Sequence, residues 1–227
     1  MAYRSRESSR KLASWKRPCY GCRVIERSGQ SYSYASREGI HSVSWEEFYA
    51  LCAGLAIAVA DYDPDVIVGV ARGGLYPATQ LSHLLRLSLV PVVLSRRVND
   101  EVVHGSPVWT VQPPASLTGK RVLVIDEICD SGETLRMVVA YITETALTVR
   151  SAVLYSHTRG VEVPDYVGLV SDELIINPWD KSVVRDGKLV PHPEYVEALR
   201  LQQLGPAKLN NTIEPVQPDK VPGGPAR

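Results

Sequence analysis

The sequence predicts an α/β protein built on a twisted, mainly parallel sheet flanked by helices. Three observations lead there. Residues 66–70 (VIVGV) and 122–125 (VLVI) are unbroken apolar runs, the pattern of strands covered on both faces. Segments of helical periodicity alternate with such runs, which implies parallel strands joined by crossover helices. Glycine, arginine and acidic residues gather just after the apolar runs, at the edge where open α/β sheets take their ligands.

The elements follow in order. Residues 1–40 are polar, basic at first and rich in Ser, Tyr and Arg, and read as an N-terminal extension that is partly ordered at best at its start. The main domain is expected over residues 41–203. A helix spans 44–61: Ser44 and Glu47 form an S-x-x-E capping box, Phe48, Leu51, Leu55 and Val59 recur at helical spacing, and Asp63-Pro64 ends it. A strand at 66–70, a helix at 75–85 and a strand at 89–94 come next. Residues 99–114, with Gly105, Pro107, Pro113 and Pro114, read as a loop or flexible hairpin. A strand at 121–126 feeds a helix at 133–146. Strands at 149–156 and 166–170, a shorter one at 174–176 and a terminal helix at 193–203 complete the domain. Residues 204–227, proline-rich and carrying PGGP, read as a flexible tail. No internal repeat is present.

Composition narrows the function classes. Twenty-five basic and 25 acidic side chains balance to a formal charge of zero, which argues against a general nucleic-acid or membrane-surface binder. No apolar run approaches the ~20 residues that span a bilayer. The first residues lack an apolar core of the secretory kind, and four cysteines in 227 residues do not make a disulfide scaffold, so cytoplasmic location is the expectation. Cys19 and Cys22 form C-Y-G-C, short of the four ligands of a zinc site, and read as ordinary surface cysteines. Cys52 reads as buried filler on its helix, and Cys129 as a small apolar spacer whose oxidation would block the turn beside it.

The most informative stretch is 122–135, VLVIDEICDSGETL. An apolar strand is followed by the acidic pair Asp126 and Glu127, then by the small polar turn Asp130, Ser131, Gly132, Glu133 and Thr134 at a helix start. Backbone N–H groups in such a turn converge on one point and suit a phosphate, aided by the helix dipole. The acidic pair would repel that phosphate, so it is suited to sugar hydroxyls and a metal. The ligand this order describes is a phosphorylated sugar. Neither the Walker pattern nor the dinucleotide fingerprint occurs.

This stretch resembles the phosphoribosyl-pyrophosphate (PRPP) signature of the type I phosphoribosyltransferases, and the resemblance covers about residues 42–200. It implies the type I phosphoribosyltransferase fold with a small hood over the sheet. It also implies transfer of ribose 5-phosphate from PRPP to a purine-type base, with Mg²⁺ as cofactor and pyrophosphate and a nucleoside monophosphate as products. Asp126 and Glu127 would hold the ribose hydroxyls and Mg²⁺, directly or through water. Residues 130–134 would anchor the 5-phosphate, and Asp130 would take the proton of the base. Ala71-Arg72-Gly73-Gly74 resembles the pyrophosphate loop, with a cis peptide at Ala71–Arg72. Arg96 and Arg97, after the strand ending at Leu94, are further pyrophosphate candidates, and 99–114 falls where the family carries a mobile loop. In Asn177-Pro178-Trp179-Asp180, Trp179 is the candidate ring that stacks on the base. The 6-oxopurine enzymes usually carry a lysine on the strand after the signature helix, directed at the exocyclic oxygen; here His157 is placed at that position, with Arg159 as the alternative. The order of elements, with a Trp-containing segment late in the chain, favours the xanthine/hypoxanthine/guanine branch, and the resemblance implies a homodimer or higher homo-oligomer. A PRPP- or nucleotide-binding regulator of the same fold, and an enzyme for an unusual base, stay open beside it.

Overall fold

The computed structural model describes residues 37, 39–98, 101, 102, 104 and 106–202. The expected extension and tail, with Cys19 and Cys22, fall almost wholly outside them. In chain order the elements are β1 (Ile40–Ser42), α1 (Trp45–Val59), β2 (Val66–Ala71), α2 (Leu75–Leu85), β3 (Leu89–Ser95), β4 (Arg97–Val98), β5 (Glu101–Val102) and β6 (Val108–Val111). There follow β7 (Arg121–Cys129), α3 (Glu133–Thr143), β8 (Thr148–Ser156), β9 (Tyr166–Val170), β10 (Leu174–Ile176), β11 (Ser182–Arg185), β12 (Lys188–Pro191) and α4 (Pro193–Leu201). Six strands form the main sheet in the order β6-β3-β2-β7-β8-β9. All neighbours are parallel except β6, which runs antiparallel to β3 at the edge.

The side-chain period of a strand explains the two cores. Ile67, Leu123, Ile125 and Leu154 turn to one face and pack with Phe48, Cys52, Leu55 and Val59 of α1 and Ala78 and Leu81 of α2. Val66, Val68, Val70, Val122, Val124 and Val153 turn to the other, against Leu135, Val138 and Ile142 of α3. Unbroken apolar runs are therefore needed in β2 and β7, as the sequence showed. Gly69 is required where α2 crosses β2, since a Cβ there would lie 2.8 Å from Cβ of Ala78.

Four local differences separate structure from expectation. The capping box is half made. The Glu47 N–H donates to Ser44 Oγ at 3.0 Å, but the Glu47 carboxylate pairs with His41 Nε2 at 2.7 Å instead of closing the box. Helix α3 stops at Thr143 rather than 146. Part of the segment read as a loop is strand: Val108–Val111 alternates β-formers and closes the sheet edge with a register shift opposite Val93 and Leu94. The pair β11–β12 was not anticipated, although its turn, Asp186-Gly187 with φ of 50° and 71°, is the dipeptide that two-residue hairpins favour.

The hood stands outside the main sheet. Strand β10 pairs in parallel with β1, and Tyr195 and Ala198 of α4 pack on Leu174 and Ile176. The β11–β12 hairpin rises from the same region toward the C-terminal ends of β2 and β7.

Candidate active site

The site is built where β2 and β7 part. Pairing of β2 with β7 ends at Gly69 opposite Ile125, while β7 stays paired with β8 as far as Cys129 opposite Ser156. Asp126 and Glu127 thus sit inside a strand with one edge free, which runs on to Cys129 where the expected strand ends at Asp126. The free edge meets the loop after β2. There the Ala71–Arg72 peptide is cis, as the resemblance implies. Two glycines let that loop touch the acidic pair. A Cβ on Gly73 would collide with Oε2 of Glu127 and lie 2.7 Å from its Cδ; one on Gly74 would lie 2.8 Å from Cα of Asp126.

The turn 130–134 opens α3. Gly132 takes φ of 77°, the left-handed conformation that glycine adopts without strain, at the N-cap position. Arg96, at the end of β3, reaches this turn from across the sheet, with Nη1 3.8 Å from Oε2 of Glu133. Arg97 lies in β4, and its side chain is outside the described residues.

A cavity of about 760 Å³ joins the loop after β2 and Glu127 to the hood; the 130–134 turn lies outside its lining. Arg72, Gly73 and Glu127 form its floor, Tyr76 and Trp179 one wall, and Arg185, His192 and Tyr195 of the hood the roof. Trp179 is partly enclosed: the Tyr76 ring stacks on it at 4.2 Å and 11°, and Phe48 meets it at 5.2 Å nearly edge-on. The candidate base platform is therefore a stacked pair, and Tyr76 is its unanticipated half. Asp180 accepts from the Tyr195 hydroxyl at 3.1 Å, which ties the N-P-W-D segment to α4.

His157 is placed differently from a cavity residue. It is buried, and its Nδ1–H donates to the Ser171 carbonyl at 2.7 Å. Arg159, two residues on, is partly exposed and forks onto Asp130: Nε donates to Oδ1 at 2.9 Å and Nη2 to Oδ2. Arg37 Nη2 donates to the same Oδ1 at 3.2 Å.

Comparison with known proteins agrees with this geometry. The model of the phosphoribosyl transferase domain family matches residues 43–186. This chain belongs to the type I phosphoribosyltransferase family, in its purine branch. A curated xanthine-guanine phosphoribosyltransferase from Cereibacter sphaeroides is 29% identical over 154 residues, 64% of this chain and 89% of that protein. The crystal structure of a purine phosphoribosyltransferase from Pyrococcus horikoshii superposes with a TM-score of 0.57 at 30% identity, covering 65% of this chain and 97% of that one. A Neisseria gonorrhoeae protein solved with bound ppGpp shares the fold, with a TM-score of 0.54 at 22% identity over 73% and 96% of the two chains.

The electrostatics of this phosphoribosyltransferase site set two carboxyls side by side and favour their neutral forms. Burial pushes the Asp126 carboxyl up to about 7, against the opposing effect of the Glu127 N–H that it accepts at 2.8 Å. Burial, then the charges of Asp126 and Asp180, push Glu127 up to about 8, while a hydrogen bond from Asn177 Nδ2 works the other way. Both side chains are only partly buried, and Glu127 lines the cavity, so a cation or a hydroxylated ligand can reach it there. Asn177, buried beside Glu127 with its Oδ1 unpartnered among the described residues, also escaped the sequence reading. Burial pushes the Cys129 thiol up to about 11, away from the thiolate form that oxidation favours, and its Sγ–H donates to the Gly160 carbonyl at 3.4 Å.

Proposed function

We propose that this phosphoribosyltransferase transfers ribose 5-phosphate from PRPP to a purine-type base, a 6-oxopurine by preference, and releases pyrophosphate and a nucleoside monophosphate. One observation carries the reading: Gly73 lies directly against Glu127. That contact sets the glycine-arginine loop against the acidic pair, and Arg72, Gly73 and Glu127 line one cavity with Tyr76 and Trp179. A ligand with an anionic group at each end and a diol between them fits such an arrangement.

The reaction is substitution at carbon 1 of the ribose, through an oxocarbenium-like state. It needs no nucleophilic side chain, so catalysis comes from positioning and charge. Asp126 and Glu127 hold the ribose hydroxyls. Residues 130–134 anchor the 5-phosphate with the N-terminal end of α3 behind them. Arg72 and Gly73, with Arg96 and Arg97, bind pyrophosphate, and a guanidinium suits its oxygens. Asp130 receives the proton of the base, which lies against the Tyr76–Trp179 pair. His157 and Arg159 are the two candidates to meet the exocyclic oxygen of the base. Arg159 is the more accessible of the two, because His157 is buried and its Nδ1–H is given to the Ser171 carbonyl, although Arg159 also forks onto Asp130.

Mg²⁺ fits the donor set. Two adjacent carboxyls, both raised by burial and Glu127 also by the charges of Asp126 and Asp180, are oxygen ligands in need of a cation. Asp126 and Glu127 would hold it, directly or through water, and it would offset pyrophosphate charge. Among the described residues no helix is long and apolar enough to cross a membrane. We place the enzyme in the cytoplasm, as a homodimer or higher homo-oligomer.

His157, where the 6-oxopurine enzymes carry lysine, supports a second reading, a PRPP- or nucleotide-binding regulator. Incubation with PRPP, Mg²⁺ and a panel of bases, following pyrophosphate release, separates the readings. Release with guanine, xanthine or hypoxanthine is expected. Release only with a non-standard base would point to a specialised substrate. Tight PRPP binding without release would favour the regulator.

A further inference from the structure

Arg37 lies before the family-matched segment 43–186, yet it reaches the signature turn. Its side chain is 11% exposed. Nη1 donates to the Asp172 carbonyl at 3.3 Å and Nη2 to Asp130 Oδ1 at 3.2 Å. The backbone around it is anchored. The Gly39 N–H donates to Gln202 Oε1 at 3.2 Å, the Leu174 N–H donates to the Gly39 carbonyl at 3.1 Å, and β1 continues the pairing with β10. Arg37 is thereby aimed from the hood side.

Arg159 arrives from the turn after β8, and its delivery is equally constrained. Asp172 accepts from the Thr158 N–H at 3.0 Å and from Thr158 Oγ1 at 2.6 Å, which holds the turn after β8. Gly160 seats that turn directly on the signature backbone. A Cβ there would collide with the Asp130 carbonyl and lie 2.8 Å from the Cys129 carbonyl. The side chain next to it has a short path to Asp130.

We propose that Arg37 is a positioning residue of the active site: with Arg159 it clamps the Asp130 carboxylate in the orientation that receives the base. A carboxylate offers about four acceptor positions. Among the described residues two guanidiniums take both positions of Oδ1 and one of Oδ2. The position left on Oδ2 is the one offered to an N–H of the base. The segment preceding the family domain thus completes the site. This inference rests on the role given to Asp130 above.

The test uses the full chain and a double-mutant cycle. Arg37→Ala is expected to lower kcat about tenfold, to leave the KM for PRPP within about twofold, and to be partly rescued by Arg37→Lys. In an Asp130→Asn background Arg37→Ala should change kcat by less than about twofold, because its effect runs through that carboxylate. The same loss in both backgrounds, or unchanged kcat in the single variant, would overturn the clamp. Hydrogen exchange at the amides of residues 130–134 gives a readout independent of turnover. Arg37→Ala should speed it several-fold, and unchanged exchange also overturns the proposal. Should the wild-type protein release no pyrophosphate with any base, the transferase reading falls and the exchange measurement alone decides the clamp.

Discussion

Glycine at position 73 is demanded by a side chain 54 residues away, because nothing larger fits beside the Glu127 carboxyl. Gly73→Ala must displace Glu127 or open the loop. A loss of kcat/KM for PRPP of at least about a hundredfold is expected, since small misplacements of aligned groups are costly. Steady-state kinetics with varied PRPP would measure it, and a wild-type value would refute the contact. Glu127 itself is held for function against stability. Its carboxyl is raised from an ordinary 4.5 to about 8, so the folded state binds a proton that the unfolded chain releases. Stability is therefore lost as pH rises from about 4.5 toward 8. In metal-free buffer at pH 8, Glu127→Gln should raise stability by roughly 1–3 kcal/mol, discounted for the side of the carboxyl open to the cavity. The gain should vanish near pH 4.5, and the variant should lose turnover. Denaturant melts at the two pH values check both signs.

Among the elements, the two that make the site were legible in the sequence because their constraints are local. The strand–turn–helix of residues 121–143 announces itself through an apolar run, an acidic pair and a small polar turn at fixed spacing. The loop after β2 is legible through its adjacent glycines and arginine. Where the sequence reading stopped β7 at Asp126, the missing fact was a neighbour. β8 continues to pair beyond the point where β2 leaves, and no property of residues 126–129 encodes that. The hood hairpin shows the opposite failure: its Asp186-Gly187 signal was present but stood beside short, half-exposed strands with weak alternation. Tyr76 was hidden for a third reason. In the sequence it is one residue of a helical turn, and only packing of α2 beside the N-P-W-D segment stacks it on Trp179.

For the molecule as a whole, buried titratable groups of opposite kind set the response to acid. Burial, and then the charge of Arg37, hold His157 below its ordinary 6.5. A histidine kept neutral when folded is protonated first in the unfolded chain, so its contribution is intact above about 6.5 and is lost as pH falls below that value. The buried acidic pair acts in the reverse sense over the same range. Comparing wild type with His157→Asn separates the two. The urea midpoint of the variant should decline less between pH 7.5 and 5.5 than that of the wild type. Parallel declines would mean that His157 is solvated rather than buried.

By itself the sequence determined the chemistry of one end of the site. Residue type and spacing along 15 or fewer positions lay out a small polar turn at a helix start, an acidic pair and a glycine-arginine loop, because each is a local backbone arrangement with few residue solutions. Tertiary structure alone decided what those parts face. Arg37 and Arg159 meet on Asp130, Asn177 meets Glu127, and Tyr76 covers Trp179 across separations of 29 to 103 residues. Such contacts depend on sheet order and on which face each crossover helix takes, and those are properties of the packed chain rather than of any window within it.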